Sequence, residues 1–374
     1  LRIFWLAGEN SGDLHASLIL KELQQQKPFW NHFGIGGSNM ASLGFKSILP
    51  FQKFSVMGFG EVIKHLGFFW QVKKTLDGIF RHEPPDLVVL VDYPGLNMRI
   101  AKSATRHNIP VLYFISPQFW AWKYNRIFDL KKYTTHIAYI LPFEKEHFEK
   151  HNVPASFVGH PIAEEISIKL DKKEFAQKYN LDMNKKWIGF LPGSRNNEIK
   201  KMLPVYLETM KFFDEKKFIC LLSKATTVTE TLFQRYLKRS PIQPIIIKED
   251  RYEMVKYCNF LAVTSGTATL ETAYLGTPFL IAYKANPLSY LIGKKLIKIP
   301  KIGLPNIILD KDVIPELVQK EANSTNIHRT IDYYLSSQTE RLAMIRELNQ
   351  LQNILVKGSV GKHVTSIITG LIDE

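Results

Sequence analysis

Short apolar runs recur along this chain with amphipathic stretches between them, a rhythm that belongs to parallel strands joined by crossover helices. The first half carries RIFWLA (2–7), DLVVLVD (86–92), PVLYFIS (110–116) and HIAYIL (136–141). The second carries WIGFLP (187–192), FICLLS (218–223), PIIIK (244–248), NFLAVT (259–264) and PFLIAY (278–283). Residues 158–186 interrupt the rhythm with proline and a run of charges, and 374 residues exceed what one ordinary core holds. The expectation is an α/β chain of two doubly wound, Rossmann-like domains, residues 1–165 and 166–335, with a helical tail over 336–374. Two such domains facing each other across a cleft would gather ligands outside the carboxyl ends of their strands.

Composition narrows the classes. The longest apolar stretches are cut by charges well short of the roughly 20 residues that a membrane-spanning helix needs. The opening LRIFWLAGEN is too short an apolar run for a signal peptide. Two cysteines, Cys220 and Cys258, sit beside strand-like runs and read as buried thiols of a reducing compartment, so the cytoplasm is expected. The net charge of +14 attracts polyanions or anionic surfaces, but the lysines and arginines are scattered and no nucleic-acid-binding motif accompanies them. No nucleic-acid partner is therefore expected. His147 and His151 stand four apart without a third ligand, and neither a metal nor another cofactor is expected. GIGGSN (34–39) and GSVGK (358–362) lack the spacing of dinucleotide and Walker loops.

The chemistry falls at the turns that end strands. NFLAVT runs into Ser265, Gly266 and Thr267, and helical spacing resumes through Glu271. Small residues let a ligand approach the backbone, and the helix start offers N–H groups to an anion. Ser265 and Thr267 can donate to phosphate oxygens and Glu271 can accept from sugar hydroxyls, although the same residues also suit an ordinary helix cap. WIGFLP ends in Gly193, Ser194 and Arg195, and an arginine there can fork onto phosphate or lie as a surface cation. The first strand ends in Gly8, Glu9, Asn10, Ser11, Gly12 and Asp13, an acidic turn that suits a hydroxyl-bearing partner. Asp92 ends DLVVLVD before Pro94 and Gly95. Glu9, Asp13 and Asp92 are base candidates, since deprotonating a sugar hydroxyl requires a carboxylate or imidazole within reach, while Asp13 and Asp92 can equally cap helices. Residues 56–80 mix aromatics, among them Phe59, Phe68, Phe69 and Trp70, with Lys64, Lys73 and Lys74. A buried helix pair would show much the same apolar pattern, but together with the positive net charge it suits a helix lying on an anionic membrane surface.

At this point the chain resembles the lipid-A-disaccharide synthases, inverting glycosyltransferases of outer-membrane assembly in Gram-negative bacteria. The resemblance rests on AGENSGDLH (7–15), GIGGSNM (34–40), MGFGEV (57–62), SPQFWAW (116–122), LPFEK (141–145), FVGHPI (157–162), LPGSRNNEI (191–199), SGTATLE (265–271) and LPNIILDKDVIPELVQ (304–319). It implies a glycosyltransferase-B fold, with the lipid acceptor and membrane on the first domain and the nucleotide sugar on the second. It implies that 2,3-diacylglucosamine passes from UDP-2,3-diacylglucosamine to 2,3-diacylglucosamine 1-phosphate (lipid X), giving the β-1,6-linked disaccharide 1-phosphate and UDP, without metal. It places the donor at Gly193, Ser194, Arg195, Ser265, Gly266, Thr267, Glu271, Asn306 and Gln319. Asn10, Ser11, Gly12 and Asn97 would serve the acceptor. The enzyme would sit peripherally on the inner face of the inner membrane. A homodimer exchanging the carboxyl-terminal portion is among the assemblies the family allows. Many members carry a second acid in Asp-x-Pro-Asp-Phe-Asn, but here the run is Asp92-Tyr93-Pro94-Gly95-Leu96-Asn97. Asp92 is therefore the first choice of base, with Glu9 or Asp13 behind it. The rival readings are a murein-precursor transferase, a UDP-N-acetylglucosamine 2-epimerase, or a non-catalytic membrane-associated sugar-nucleotide binder.

Overall fold

The computed structural model describes residues 1–55, 66–286 and 301–373. They form two compact units, one of residues 1–161 with 355–374 and one of residues 162–354.

The first unit holds a seven-stranded parallel sheet of β1 (Arg2–Ala7), β2 (Asn31–Ile35), β3 (Lys46–Ser47), β4 (Leu87–Val91), β5 (Val111–Phe114), β6 (His136–Tyr139) and β7 (Ala155–Phe157). Its order is β3-β2-β1-β4-β5-β6-β7, so the winding reverses between β1 and β4. Those strands read as near-continuous apolar runs because both faces are covered by helices. From β1, Ile3 to Ala7 are fully buried, as is all of β4. Helix Leu66–His82 lays Val72, Leu76 and Phe80 against the sheet, with the Phe80 ring edge-on to Phe4 at 5.5 Å.

The second unit repeats the plan with β8 (Lys186–Leu191), β9 (Phe218–Ser223), β10 (Ile245–Ile247), β11 (Phe260–Thr264), β12 (Phe279–Tyr283) and β13 (Glu316–Val318), in the order β10-β9-β8-β11-β12-β13. Its reversal lies between β8 and β11. The core on one face joins Ile188, Phe190, Tyr206, Phe233, Ala262 and Ile331.

All nine apolar runs form strands, and the unit boundary falls at Pro161, inside the charged, proline-bearing stretch. The four strands with no apolar run to announce them lie at or next to sheet edges, where fewer residues need to be buried. The tail differs from the expected single segment. Helix Gln338–Leu355 buries Met344, Leu348 and Leu351 in the second unit. The chain then joins the first unit, where the Leu355 carbonyl accepts from the His160 N–H at 2.9 Å. Helix Val360–Asp373 packs on helix Asn10–Gln26, and Gly361 lies so close that an added Cβ would stand 3.2 Å from the Leu18 carbonyl oxygen.

Candidate active site

The register pairs Ala7 with Val91, and Val91 with Phe114, so the turns after β1, β4 and β5 leave the sheet side by side. Asp92 follows β4 immediately. It and Tyr93 both take left-handed conformations, with φ of 49° and 47°. Non-glycine residues in this region cost roughly 1–3 kcal/mol each and persist where surrounding structure holds them, commonly at functional sites. Asn97 does the holding. Fully buried one turn into helix Pro94–Arg106, its Nδ2 donates to the carbonyls of Val91 at 3.1 Å and Asp92 at 2.5 Å. The Tyr113 hydroxyl donates to the same Asp92 carbonyl at 2.8 Å. Burial raises the Asp92 carboxyl from its ordinary value, while the charge on His15 and the Tyr93 amide oppose the rise. His160 also feels His15, and burial holds its imidazole down to about 3, so it stays neutral. His15 thus interacts with both Asp92 and His160, and its ring stands edge-on to Phe114.

Several sequence expectations change here. Asp13 does not suit a base, because it is buried with both oxygens already accepting. Oδ1 accepts from the N–H groups of Gly37 at 2.6 Å and Met40 at 3.2 Å, and Oδ2 from the N–H and Nδ2 of Asn39 at 2.8 and 2.9 Å. The GIGGSN stretch is the wrapping around this carboxylate. Asn97, expected at the acceptor, is fully buried and acts on the Asp92 backbone instead. Gly12 is likewise buried, close under the Val91 carbonyl. Glu9, Asn10 and Ser11 are exposed at the start of their helix, with Glu9 near enough to raise the Tyr93 hydroxyl behind the effect of burial.

In the second unit the turns after β8 and β11 flank the reversal. Gly266 has φ 154° and ψ −166°, a region essentially reserved for glycine, and an added Cβ would meet nothing within 4 Å. The position is strained for any other residue yet open above, which suits a ligand lying on the backbone. Ser265 is half-buried and Thr267 exposed beside it. Thr264, at the end of β11, shares a hydrogen bond with Tyr206 at 3.1 Å. Glu271 accepts from Arg251 at 2.8 Å and Tyr252 at 3.3 Å, both on Oε1; among the described residues Oε2 accepts no hydrogen bond. At the other turn Gly193 has φ 109° and lies against Glu198, whose Oε2 accepts from the N–H groups of Ser194 and Arg195 at 2.9 and 3.1 Å. Those backbone donors are thus held by Glu198, and the Arg195 side chain, expected to fork onto phosphate, is 82% exposed and touches the same carboxylate at 3.2 Å. Asn306 does not suit donor binding: it is buried, and its amide clasps the backbone of Val313 and Ile314 and the Glu316 carboxylate. Gln319 is half-buried with φ 56°, its Oε1 accepting from the Ala285 N–H at 3.1 Å.

Of the surface aromatics, Trp70 is 65% exposed with the Lys74 ammonium 5.6 Å from its ring. Phe68 turns edge-on to buried Phe54 at 5.1 Å. Phe59 and the side chain of Phe69 lie outside the described residues. Among the described residues no helix is long and apolar enough to cross a membrane, and no group of three or more His, Cys, Asp or Glu side chains is placed to hold a metal ion.

Sequence reasoning passed over His15, Tyr113, Glu144, His160 and Glu198. His15 was legible in principle: it lies one turn after Gly12, hence on the helix face turned toward the strand ends. Glu144 was not, because its burial depends on Ser116 and Trp120 from a different turn, which donate to it at 2.7 and 3.2 Å.

Two parallel sheets of 3-2-1-4-5-6 type, each with its ligand-suited turn at its own reversal, define the glycosyltransferase-B architecture of sugar-nucleotide enzymes. Solved structures agree on the fold. A UDP-GlcNAc 2-epimerase from Neisseria meningitidis, bound to UDP-GlcNAc, superposes with a TM-score of 0.64 at 12% identity over 99% of each chain. The calicheamicin glycosyltransferase CalG4 gives 0.63 at 10% identity, over 100% of this chain and 98% of the other. Residues 3–363 match the lipid-A-disaccharide synthetase family, and the lipid-A-disaccharide synthase of Geobacter metallireducens is 35% identical over 377 aligned positions, covering 100% of this chain and 98% of that one. This chain belongs to the lipid-A-disaccharide synthase family, and it is a glycosyltransferase.

Proposed function

We propose that the chain transfers 2,3-diacylglucosamine from UDP-2,3-diacylglucosamine to the 6-hydroxyl of 2,3-diacylglucosamine 1-phosphate, releasing UDP. The observation that carries this beyond the family name is the division of chemistry between the sheets. One reversal bears a strained, partly desolvated acid, and the other an open turn of glycine and hydroxyls.

In this reading Asp92 accepts the acceptor's hydroxyl proton as the oxygen attacks the anomeric carbon. Its raised proton affinity suits it to the task, since a base works best when its pKa approaches the working pH. Glu9 is the second candidate. The Ser265–Thr267 turn holds the diphosphate at the helix start, and Glu271 offers Oε2 to a ribose or sugar hydroxyl. Arg195, exposed and paired with Glu198, swings onto the leaving UDP and offsets its growing charge.

Both substrates are acylated, so the enzyme works at a lipid surface. A net charge of +14, exposed Trp70 and neighbouring Lys74 support peripheral attachment to the anionic inner face of the inner membrane. The test is UDP release in detergent with and without the monosaccharide 1-phosphate, with lipid products weighed by mass spectrometry. A tetra-acyl disaccharide phosphate formed only with acceptor is the expected result. UDP binding without product would favour the binder reading, and conversion of UDP-N-acetylglucosamine alone would favour an epimerase.

A further inference from the structure

Trp122, the last residue of the short helix Phe119–Trp122 that follows β5, carries two cations against its indole, the Lys123 ammonium at 4.7 Å and the Arg126 guanidinium at 4.8 Å from the ring centroid. Among the described residues neither cation has a carboxylate within salt-bridge distance. Arg126 also opens helix Arg126–Tyr133, so it adds positive charge where the helix dipole is already positive, with Asp129 the one acid of the first turn. The first N–H groups of that helix turn back onto the carbonyls of Lys123, Tyr124 and Asn125, so they do not cradle an anion themselves. Two like charges and a helix N-terminus gathered on one aromatic ring, with no acid among the described residues paired to either cation, are an electrostatic arrangement that an anion would relieve.

The place of this cluster suggests which anion. β5 pairs with β4, and the Tyr113 hydroxyl of β5 donates to the Asp92 carbonyl at 2.8 Å. Burial and then Asp92 raise that hydroxyl's proton affinity; Asn97 and, more weakly, Arg126 oppose the rise. Arg126 therefore lies within electrostatic reach of the group that fixes Asp92. The segment Ser116–Trp122 that carries the indole is itself anchored, since Ser116 and Trp120 donate to buried Glu144 and the Trp120 ring stacks edge-on to Phe143 at 4.8 Å. A ligand meeting Arg126 would thus meet a fixed wall, and a guanidinium suits the forked oxygens of a phosphate monoester.

We propose that Arg126 and Lys123, held on Trp122, bind the phosphate monoester of the sugar acceptor while Asp92 addresses its hydroxyl. The assignment rests on the acceptor reading given above and adds the subsite that would select a phosphorylated acceptor over its dephosphorylated form.

The test pairs substrate and protein changes. Acceptor-dependent UDP release is measured for wild type, Arg126→Ala, Arg126→Lys and Lys123→Ala, each with diacylglucosamine 1-phosphate and with diacylglucosamine lacking the phosphate. UDP affinity and urea midpoint report on folding. Loss of a charge-assisted phosphate contact should raise the acceptor KM of R126A roughly tenfold to hundredfold. R126K should fall between R126A and wild type, because it keeps the charge and loses the fork. With the dephosphorylated acceptor, wild type and R126A should converge. Should R126A misfold, K123A, altered at an exposed position, carries the same comparison with a smaller KM rise. A variant series equal to wild type on the phosphorylated acceptor overturns the subsite while leaving the transferase reading intact. If the substitutions instead weaken binding to phosphatidylglycerol vesicles over phosphatidylcholine vesicles and leave the acceptor KM unchanged, the cations serve the lipid surface and the proposal fails. Absence of any acceptor-dependent UDP release from wild type sinks the parent reading, and the subsite with it.

Discussion

Replacing Asn97 with leucine should remove activity while leaving most of the stability. The side chain is fully buried and its Nδ2 makes two hydrogen bonds, to the Val91 and Asp92 carbonyls. Each is worth about 1 kcal/mol net. Two effects oppose that loss. Its Oδ1 is buried and accepts no hydrogen bond among the described residues, so leucine removes a desolvated acceptor. The left-handed backbone at Asp92 and Tyr93 stores roughly 1–3 kcal/mol per residue, which is released once the clamp is gone. The Asp92 carbonyl keeps the Tyr113 hydroxyl as donor. Because Tyr113 still holds that carbonyl, only part of the strain relaxes, so loss and gain are of similar size and the expected net change is within about 2 kcal/mol, measured as a urea midpoint. Activity responds differently, because relaxing the turn redirects the Asp92 carboxylate, and misplacing a reacting group by about 1 Å costs on the order of 100-fold. Asn97→Leu should thus lose about two orders of magnitude in kcat with UDP affinity unchanged. Wild-type kcat in the folded variant would refute the positioning argument, and a loss above about 4 kcal/mol would mean that Asn97 serves the core instead.

Three further outcomes follow from the same geometry. Gly266→Ala should lower stability by roughly 1–3 kcal/mol from backbone strain alone and weaken UDP binding at least tenfold by calorimetry; affinity within twofold of wild type would remove this turn from the donor site. Burial raises Glu144 from the ordinary 4.5 to about 7, so the folded state holds this proton more tightly than the unfolded one. Its contribution is present below pH 4.5 and lost as pH rises through 7, a fall of about 3 kcal/mol that Glu144→Gln should abolish in urea midpoints taken across that window; parallel pH slopes would contradict it. His15→Gln removes a charge that lowers the Asp92 pKa, so the acid limb of kcat, where activity falls as Asp92 gains its proton, should move to higher pH, and an unmoved limb would separate His15 from Asp92.

The strands and the turns that end them were legible because parallel strands buried on both faces must be apolar throughout, and the turns stand out by contrast; the strand order came only from the fold. The short strands β3, β7, β10 and β13 bury little and leave a weak mark; of these only β10 follows a recognisable run, PIIIK. Within the candidate site, residue type alone separated functional from structural acids poorly. Asp13 and Asp92 look equivalent as strand-end acids, and only the fold shows that Gly37, Asn39 and Met40 close around the first. The same holds for Asn97 and Asn306, whose amides satisfy backbone groups brought close by the turns. Glu144 gains meaning from Ser116 and Trp120 on a distant segment, a relation no local spacing encodes, whereas Arg126 stands only four residues from Trp122 and their pairing needed the geometry of the turn between them.

The most direct test of the account is the single-turnover rate of Asp92→Asn beside Glu9→Gln, with UDP affinity measured on the same preparations. Removing a general base usually costs about 100- to 10,000-fold. The account predicts a loss of that size in D92N, a much smaller one in E9Q, and UDP binding unchanged in both. A D92N enzyme within tenfold of wild type would contradict it, and a large loss in E9Q alone would transfer the base to the exposed acid at the start of helix Asn10–Gln26.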